Sequence, residues 1–256
     1  MPTRLTLLKI IALAIGFISS FDLYTTLDQG FFYLQSDEVV HENDLPLIQQ
    51  NCEAFIDNSS VEGFLFKYFH FWGDYQHYQN SHVWYRKEIR IIRNDPDIHS
   101  WESAQSFRRI PAFDGLDYRQ QENTFKLKVV ELDAHIYHYG WVRPPELMAS
   151  KIKTFTINHH GRKKVAKMIQ NNNFDNFYDY GPMKRVPVFK GTHPAAMEEW
   201  IAKFNWHDKL RPSGRLSKCR PVSKHNRLKY RIVSFIEKYF FFGMRLGEFK
   251  NYVRIK

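Results

Sequence analysis

The chain has 256 residues, 43% hydrophobic and 16% aromatic, which excludes wholesale disorder and suffices to bury the core of one domain with an appendage. Its formal charge is +10 and its isoelectric point about 9.5, so the expected partner is anionic: a nucleotide-sugar diphosphate, an acidic lipid or nucleic acid. Two cysteines, Cys52 and Cys219, lack CxxC spacing and point to reduced thiols in a cytosolic setting.

Residues 1–26 form an apolar N-terminal segment. From Arg4 to Phe21 it has a basic start, an apolar middle and an interruption at Lys9, and it falls short of the roughly 20 apolar residues that cross a membrane. A targeting or anchoring segment, a helix packed on a sheet and a stretch without a retained role are all open here. Next, Phe31 to Leu34 reads as a buried strand that stops at Gln35-Ser36-Asp37-Glu38. Acidic groups then sit at a strand end, where open α/β sheets bind ligands. Asn43-Asp44-Leu45-Pro46 opens a helix that should end near Asp57-Asn58. Val61 to Trp72 is apolar on both faces and belongs inside a sheet.

Gly73 to Trp84 is polar and aromatic without a clean period, and reads as a loop. Trp72, Tyr75, Tyr78, Trp84 and Tyr85 could stack on a sugar face while Asp74 or Gln79 accepts hydroxyl hydrogens; alternatively these rings only pack the loop. Arg86 to Arg93 predicts one strand with a charged face, followed by a turn at Asn94-Asp95-Pro96-Asp97. Phe113 to Asn123 is a turn-rich excursion. Phe125 to Tyr139 is the next strong strand signal, one strand or two broken at Asp133, and it is expected to deliver His135 and His138 to one place.

From Pro144 the composition turns basic and mainly helical. Glu146 to Ile157 predicts a helix with lysines on its face, and Thr192 and Pro194 start another with Met197, Trp200, Ile201 and Phe204 along one stripe. Lys224 to Phe242 predicts a basic amphipathic helix ended by Gly243. Leu228, Ile232, Phe235, Ile236 and Tyr239 supply its apolar steps, and Lys224, Arg227, Lys229, Arg231 and Lys238 its charge. Such a helix either lies in the headgroup layer of an anionic membrane or packs against the sheet.

Several of these stretches carry a resemblance when taken in order. They are the strand running into Ser36-Asp37-Glu38, Phe71-Trp72-Gly73-Asp74-Tyr75, Trp84 to Asn94, and Ile136-Tyr137-His138-Tyr139-Gly140-Trp141-Val142-Arg143-Pro144-Pro145. Gly191-Thr192-His193-Pro194 and Phe249-Lys250-Asn251-Tyr252 continue the set. In order and spacing it resembles a bacterial branch of the family 2 glycosyltransferases, which have the GT-A fold, over roughly residues 27 to 256.

The resemblance implies an α/β fold: a partial GT-A-like mixed sheet flanked by helices over residues 27–145, with a basic helical extension over 146–256. It implies a divalent metal, Mn²⁺ or Mg²⁺, held by Asp37 and His138, with Arg143 neutralising the diphosphate of a nucleotide-sugar donor. Glu102 is the acidic candidate for the base that takes the acceptor proton, and Trp72, Asp74 and Trp84 are candidates for acceptor binding. An intact GT-A enzyme places two or three βαβ units, about a hundred residues, before the acidic motif. Only 36 residues precede Asp37, so much of the nucleotide-binding half is expected to be lacking.

The expected function is hexosyl transfer from a nucleotide sugar to a glycan or lipid-linked acceptor in polysaccharide biosynthesis, in the cytoplasm or peripherally at the inner face of the membrane, or a form of that enzyme left inactive by the short N-terminal half. The alternative is a non-catalytic basic module that binds an anionic membrane surface or nucleic acid. Against sequence-specific nucleic-acid binding stands the absence of helix-turn-helix, zinc-finger and RNP patterns.

Overall fold

A computed structural model of the chain describes residues 23–27, 30–101, 106–115, 120–160, 176–214, 224–242, 244–247 and 250–255. The segment from Arg4 to Phe21, Glu102 and Cys219 lie outside them. In chain order the described strands are β1 (Leu23–Leu27), β2 (Gly30–Leu34), β3 (Glu38–Val40), β4 (Gly63–Trp72), β5 (Tyr78–Gln79), β6 (Lys87–Arg93), β7 (Ile98–Trp101), β8 (Ser106–Arg109), β9 (Phe125–Trp141) and β10 (Tyr252–Arg254). The described α-helices are α1 (Leu45–Ala54), α2 (Pro145–His160), α3 (Glu198–Ala202) and α4 (Leu228–Phe240). The protein is mixed α/β, and no helix among the described residues is long and apolar enough to cross a membrane.

All ten strands join one mixed sheet in the order β1-β2-β6-β4-β9-β8-β7, with β3 and β10 added to β9 and β5 to β4. The pairs β4–β9 and β9–β10 are parallel and the rest antiparallel. Strand β4 is central because its residues are apolar on both sides of the pleat. Phe64, Phe66 and Tyr68 pack with Phe32, Ile48, Ile91 and Ile136, while Leu65 packs with Tyr33, Ile89 and Val129. Helix α1 begins with proline in its first turn and contributes Ile48, Leu45 and Leu47 to the first of these clusters, joined by Phe55 just after it.

The strand predicted from Phe125 does not break at Asp133. It runs unbroken for 17 residues as β9, and the local mismatch is absorbed as a register shift opposite Leu65 and Lys67 of β4. The charged face predicted for β6 also turns inward. Arg90 is 1% exposed and Glu88 7%, because Arg90 meets a buried carboxylate from β3.

Described residues after 145 join the core of the sheet. Tyr180, Met183, Met197, Trp206 and Leu210 close over Phe71, Trp72, Tyr137 and Tyr139 in a single cluster. The stripe predicted around α3 is divided accordingly: Met197 is buried, Ile201 and Phe204 pack against the cluster, and Trp200 is 64% exposed.

Candidate functional site

Two short sequences face each other at the centre of the sheet: Phe69-His70-Phe71-Trp72 on β4 and Tyr137-His138-Tyr139-Gly140-Trp141 on β9. His70 pairs with His138 and Trp72 with Trp141, and the extra residue in β9 is taken up by a register shift between them. The alternation of a strand sends the flanking rings to one side, where Phe71 stacks on Tyr139 at 4.8 Å, and sends both histidines to the other.

The hydrogen bonds of this histidine pair fix its tautomers. His70 Nε2 lies 2.7 Å from the Tyr85 carbonyl and must donate, so His70 Nδ1 accepts; it lies 2.9 Å from His138 Nδ1, which therefore donates. The lone pair left on His138 is on Nε2. That atom faces Asp37 Oδ1 at 3.6 Å. Asp37 sits in the turn between β2 and β3, where its carbonyl accepts from the Tyr139 N–H at 2.8 Å. The pairing of Glu38 with His138 in the β3–β9 ladder brings the turn over the histidine.

Gly140 makes room for this meeting. A Cβ at that position would stand 2.6 Å from His138 Nε2 and collide with Asp37 Oδ2. Glycine thus leaves space for two acceptors to converge.

Burial pulls the His138 imidazole below the ordinary histidine value, against the opposing effect of Asp37, and pulls His70 well below it. Both rings are neutral near pH 7. Burial works to raise the Asp37 carboxyl, but the neighbouring His138 and Lys151 outweigh it and hold it below the usual carboxylate value. Lys151 Nζ is 3.2 Å from Asp37 Oδ2 and 2.8 Å from the Gly140 carbonyl.

A buried ion pair supports the turn. Glu38 Oε1 and Oε2 each accept from Arg90 at 2.8 Å, Tyr68 donates to Oε1 at 2.9 Å, and the Arg90 guanidinium lies over the rings of Tyr33 and Tyr68. The bidentate geometry satisfies both buried groups.

Beside the site, Arg143, Leu147, Ser150, Lys151, Thr154 and Phe155 line a groove of about 470 Å³ along α2. Arg143 is exposed at its mouth, and Lys151 links the groove to Asp37.

The acceptor candidates are placed differently. Trp72 is 1% exposed, donates to the Tyr180 carbonyl at 3.0 Å and packs against Trp84, Trp141 and His225, so it has no face left for a sugar. Asp74 is buried and accepts from the backbone N–H groups of Gln76 and His77, closing its own turn rather than meeting a ligand. Trp84 is half-buried against Trp72, Trp141 and His70, and its indole N–H has no partner. His135 does not join His138. Three positions apart on one strand, the two side chains leave on opposite faces, and His135 stacks on Phe69 at 4.6 Å.

The Gly191-Thr192-His193-Pro194 stretch docks onto this core. Tyr139 donates its hydroxyl to His193 Nδ1 at 2.8 Å, His193 donates to the Tyr75 carbonyl at 2.9 Å, and Thr192 meets His41 at 3.0 Å.

A carboxylate and an imidazole lone pair converging on one space fit a divalent cation as two of its ligands. Among the described residues no group of three or more His, Cys, Asp or Glu side chains is arranged to hold a metal, so the remaining ligands would be water and substrate oxygens. Sequence reasoning singled out Asp37, His138 and Arg143 but missed His70, Gly140 and Lys151. No protein-family model, curated protein or solved structure matches this chain.

Proposed function

We propose that the protein is a glycosyltransferase-like enzyme of the family 2 type, taking a hexose from a nucleotide-sugar donor to a glycan or lipid-linked acceptor on the cytoplasmic side of a membrane. The observation that carries the reading is the convergence of Asp37 and His138 Nε2, with the histidine tautomer set by His70, next to a cationic groove. A donor diphosphate laid along that groove would meet Arg143 as a bidentate donor and Lys151 as a point charge, with Ser150 and Thr154 within the same lining. A Mn²⁺ or Mg²⁺ ion held by Asp37 and His138 would neutralise charge on the diphosphate. In the transfer itself the acceptor hydroxyl attacks the anomeric carbon, the bond from that carbon to the diphosphate oxygen breaks, and the hydroxyl proton passes to a base, the role assigned to Glu102 from sequence.

Calorimetric titration with Mn²⁺, and then with UDP- and GDP-sugars in its presence, tests the proposal. Heat from the ion, followed by heat from one sugar nucleotide, both lost in Asp37→Asn, is the expected result. Binding of neither, by protein shown to be folded, would overturn it.

A further inference from the structure

Helix α4 is seated with Ser234 and Glu237 facing the protein. Glu237 is fully buried, accepting from His82 Nδ1 at 2.7 Å and from the Leu246 N–H at 2.9 Å, and Ser234 accepts from the His82 N–H at 2.8 Å. Four of its apolar residues point the other way, while Tyr230, Val233 and Ile236 are partly buried. Leu228, Ile232, Phe235 and Tyr239 follow at steps of four, three and four, which places them on one stripe, and they are 69%, 50%, 56% and 59% exposed. Phe240, the last residue of the helix, is also exposed, and beyond the helix Phe242, 94% exposed and held at φ 49°, and Met244 add further exposed apolar surface.

A helix packed only to complete a domain turns its apolar stripe to the core, and this one turns the Leu228, Ile232, Phe235 and Tyr239 stripe outward. Exposed Lys229 and Lys238 and exposed Arg231 stand on the flanks of the stripe, with Lys224 and Arg227 at its start. Each feature matches a bilayer: the stripe suits the acyl boundary, and flanking cations suit anionic headgroups. Charge argues against the other occupants. A second copy would bring the same cations face to face, and the chain's own segment from Arg4 to Phe21 carries Arg4 and Lys9 of the same sign.

We propose that α4 and the phenylalanines that follow it dock the protein onto an anionic lipid bilayer, lying in the plane of the headgroups. This assignment does not depend on the chemistry at Asp37.

Cosedimentation of the full chain with vesicles of phosphatidylcholine alone, or with about one-third phosphatidylglycerol, tests it at about 0.1 M and 0.5 M salt. Partitioning onto the anionic vesicles should exceed that onto neutral ones by about tenfold and fall at high salt. The doubly substituted Ile232→Ser, Phe235→Ser protein, whose altered positions are already in solvent, should keep its circular dichroism and lose about tenfold in binding. As a second measurement, Phe235→Trp should have its fluorescence quenched by brominated lipid. Unchanged binding by the double variant, an unquenched Trp, or a dimer in sedimentation velocity that the double variant abolishes in the absence of lipid would each overturn the proposal.

Discussion

His70 and His138 meet across the parallel pair of central strands with their Nδ1 atoms 2.9 Å apart, and that contact leaves His138 Nε2 as the nitrogen free to bind. His70 does not touch the space beside Asp37; it acts by orienting the histidine that does. Replacing it with leucine should lower Mn²⁺ affinity by about 10- to 100-fold while the protein stays folded. Electron paramagnetic resonance of free Mn²⁺ measures this directly, and an affinity equal to that of the unaltered protein would rule out the positioning role.

Gly140→Ala places a methyl group where Asp37 and His138 converge. Because the colliding atoms belong to a carboxylate and an imidazole that are both held in place, the expected outcome is loss of Mn²⁺ binding with a destabilisation of about 1–3 kcal/mol. Thermal unfolding and metal titration on one sample separate the two effects.

Glu38→Gln removes the charge that Arg90 faces in the interior. The guanidinium is 1% exposed and stays ionised, so the variant should lose about 3–5 kcal/mol of stability in urea. Replacing both partners with apolar residues of similar volume should cost less than the single change, since no uncompensated charge remains.

Acid should destabilise the protein through its buried histidines. Burial takes His225 from 6.5 down to about 4. Its neutral form therefore contributes fully above pH 6.5, and the contribution is lost as the pH falls to about 4, where the folded state itself takes up the proton. The loss over that window is about 3 kcal/mol for this one group. His135 and His193 are lowered for the same leading reason and add to the slope. His225→Leu should flatten the stability profile between those limits, and a profile parallel to that of the unaltered protein would show that His225 is not the source.

The sheet was legible where side-chain period and packing agree. The two-sided apolar pattern of Val61 to Trp72 placed β4 in the interior, and Asn43 to Pro46 marked the start of α1. The charged residues of β6 misled because an alternating pattern shows which residues share a face and not whether a carboxylate such as Glu38 waits there. Asp37 and His138 were singled out by motif order, and the structure brings their side chains within 3.6 Å. His70 was missed although Phe-His-Phe-Trp and Tyr-His-Tyr-Gly-Trp are close variants of one another, and that internal likeness is the signal that the two histidines share a register. Lys151 was not legible, since one lysine among several on a basic helix acquires its role only from the way α2 docks. For α4 the sequence showed an amphipathic helix, but which side faces inward was decided by His82 and Arg86, more than 140 residues away.

The long parallel alignment of β4 with β9 also bears on how the molecule reaches its native state. These strands are separated by residues 73–124 and cannot pair through a simple hairpin, so their zipping requires closure of a large loop before any contact rewards it. Folding should accordingly be slow for a protein of this size, with the antiparallel β7–β8 arm forming early as a local unit and the histidine pair assembling only at the rate-limiting step.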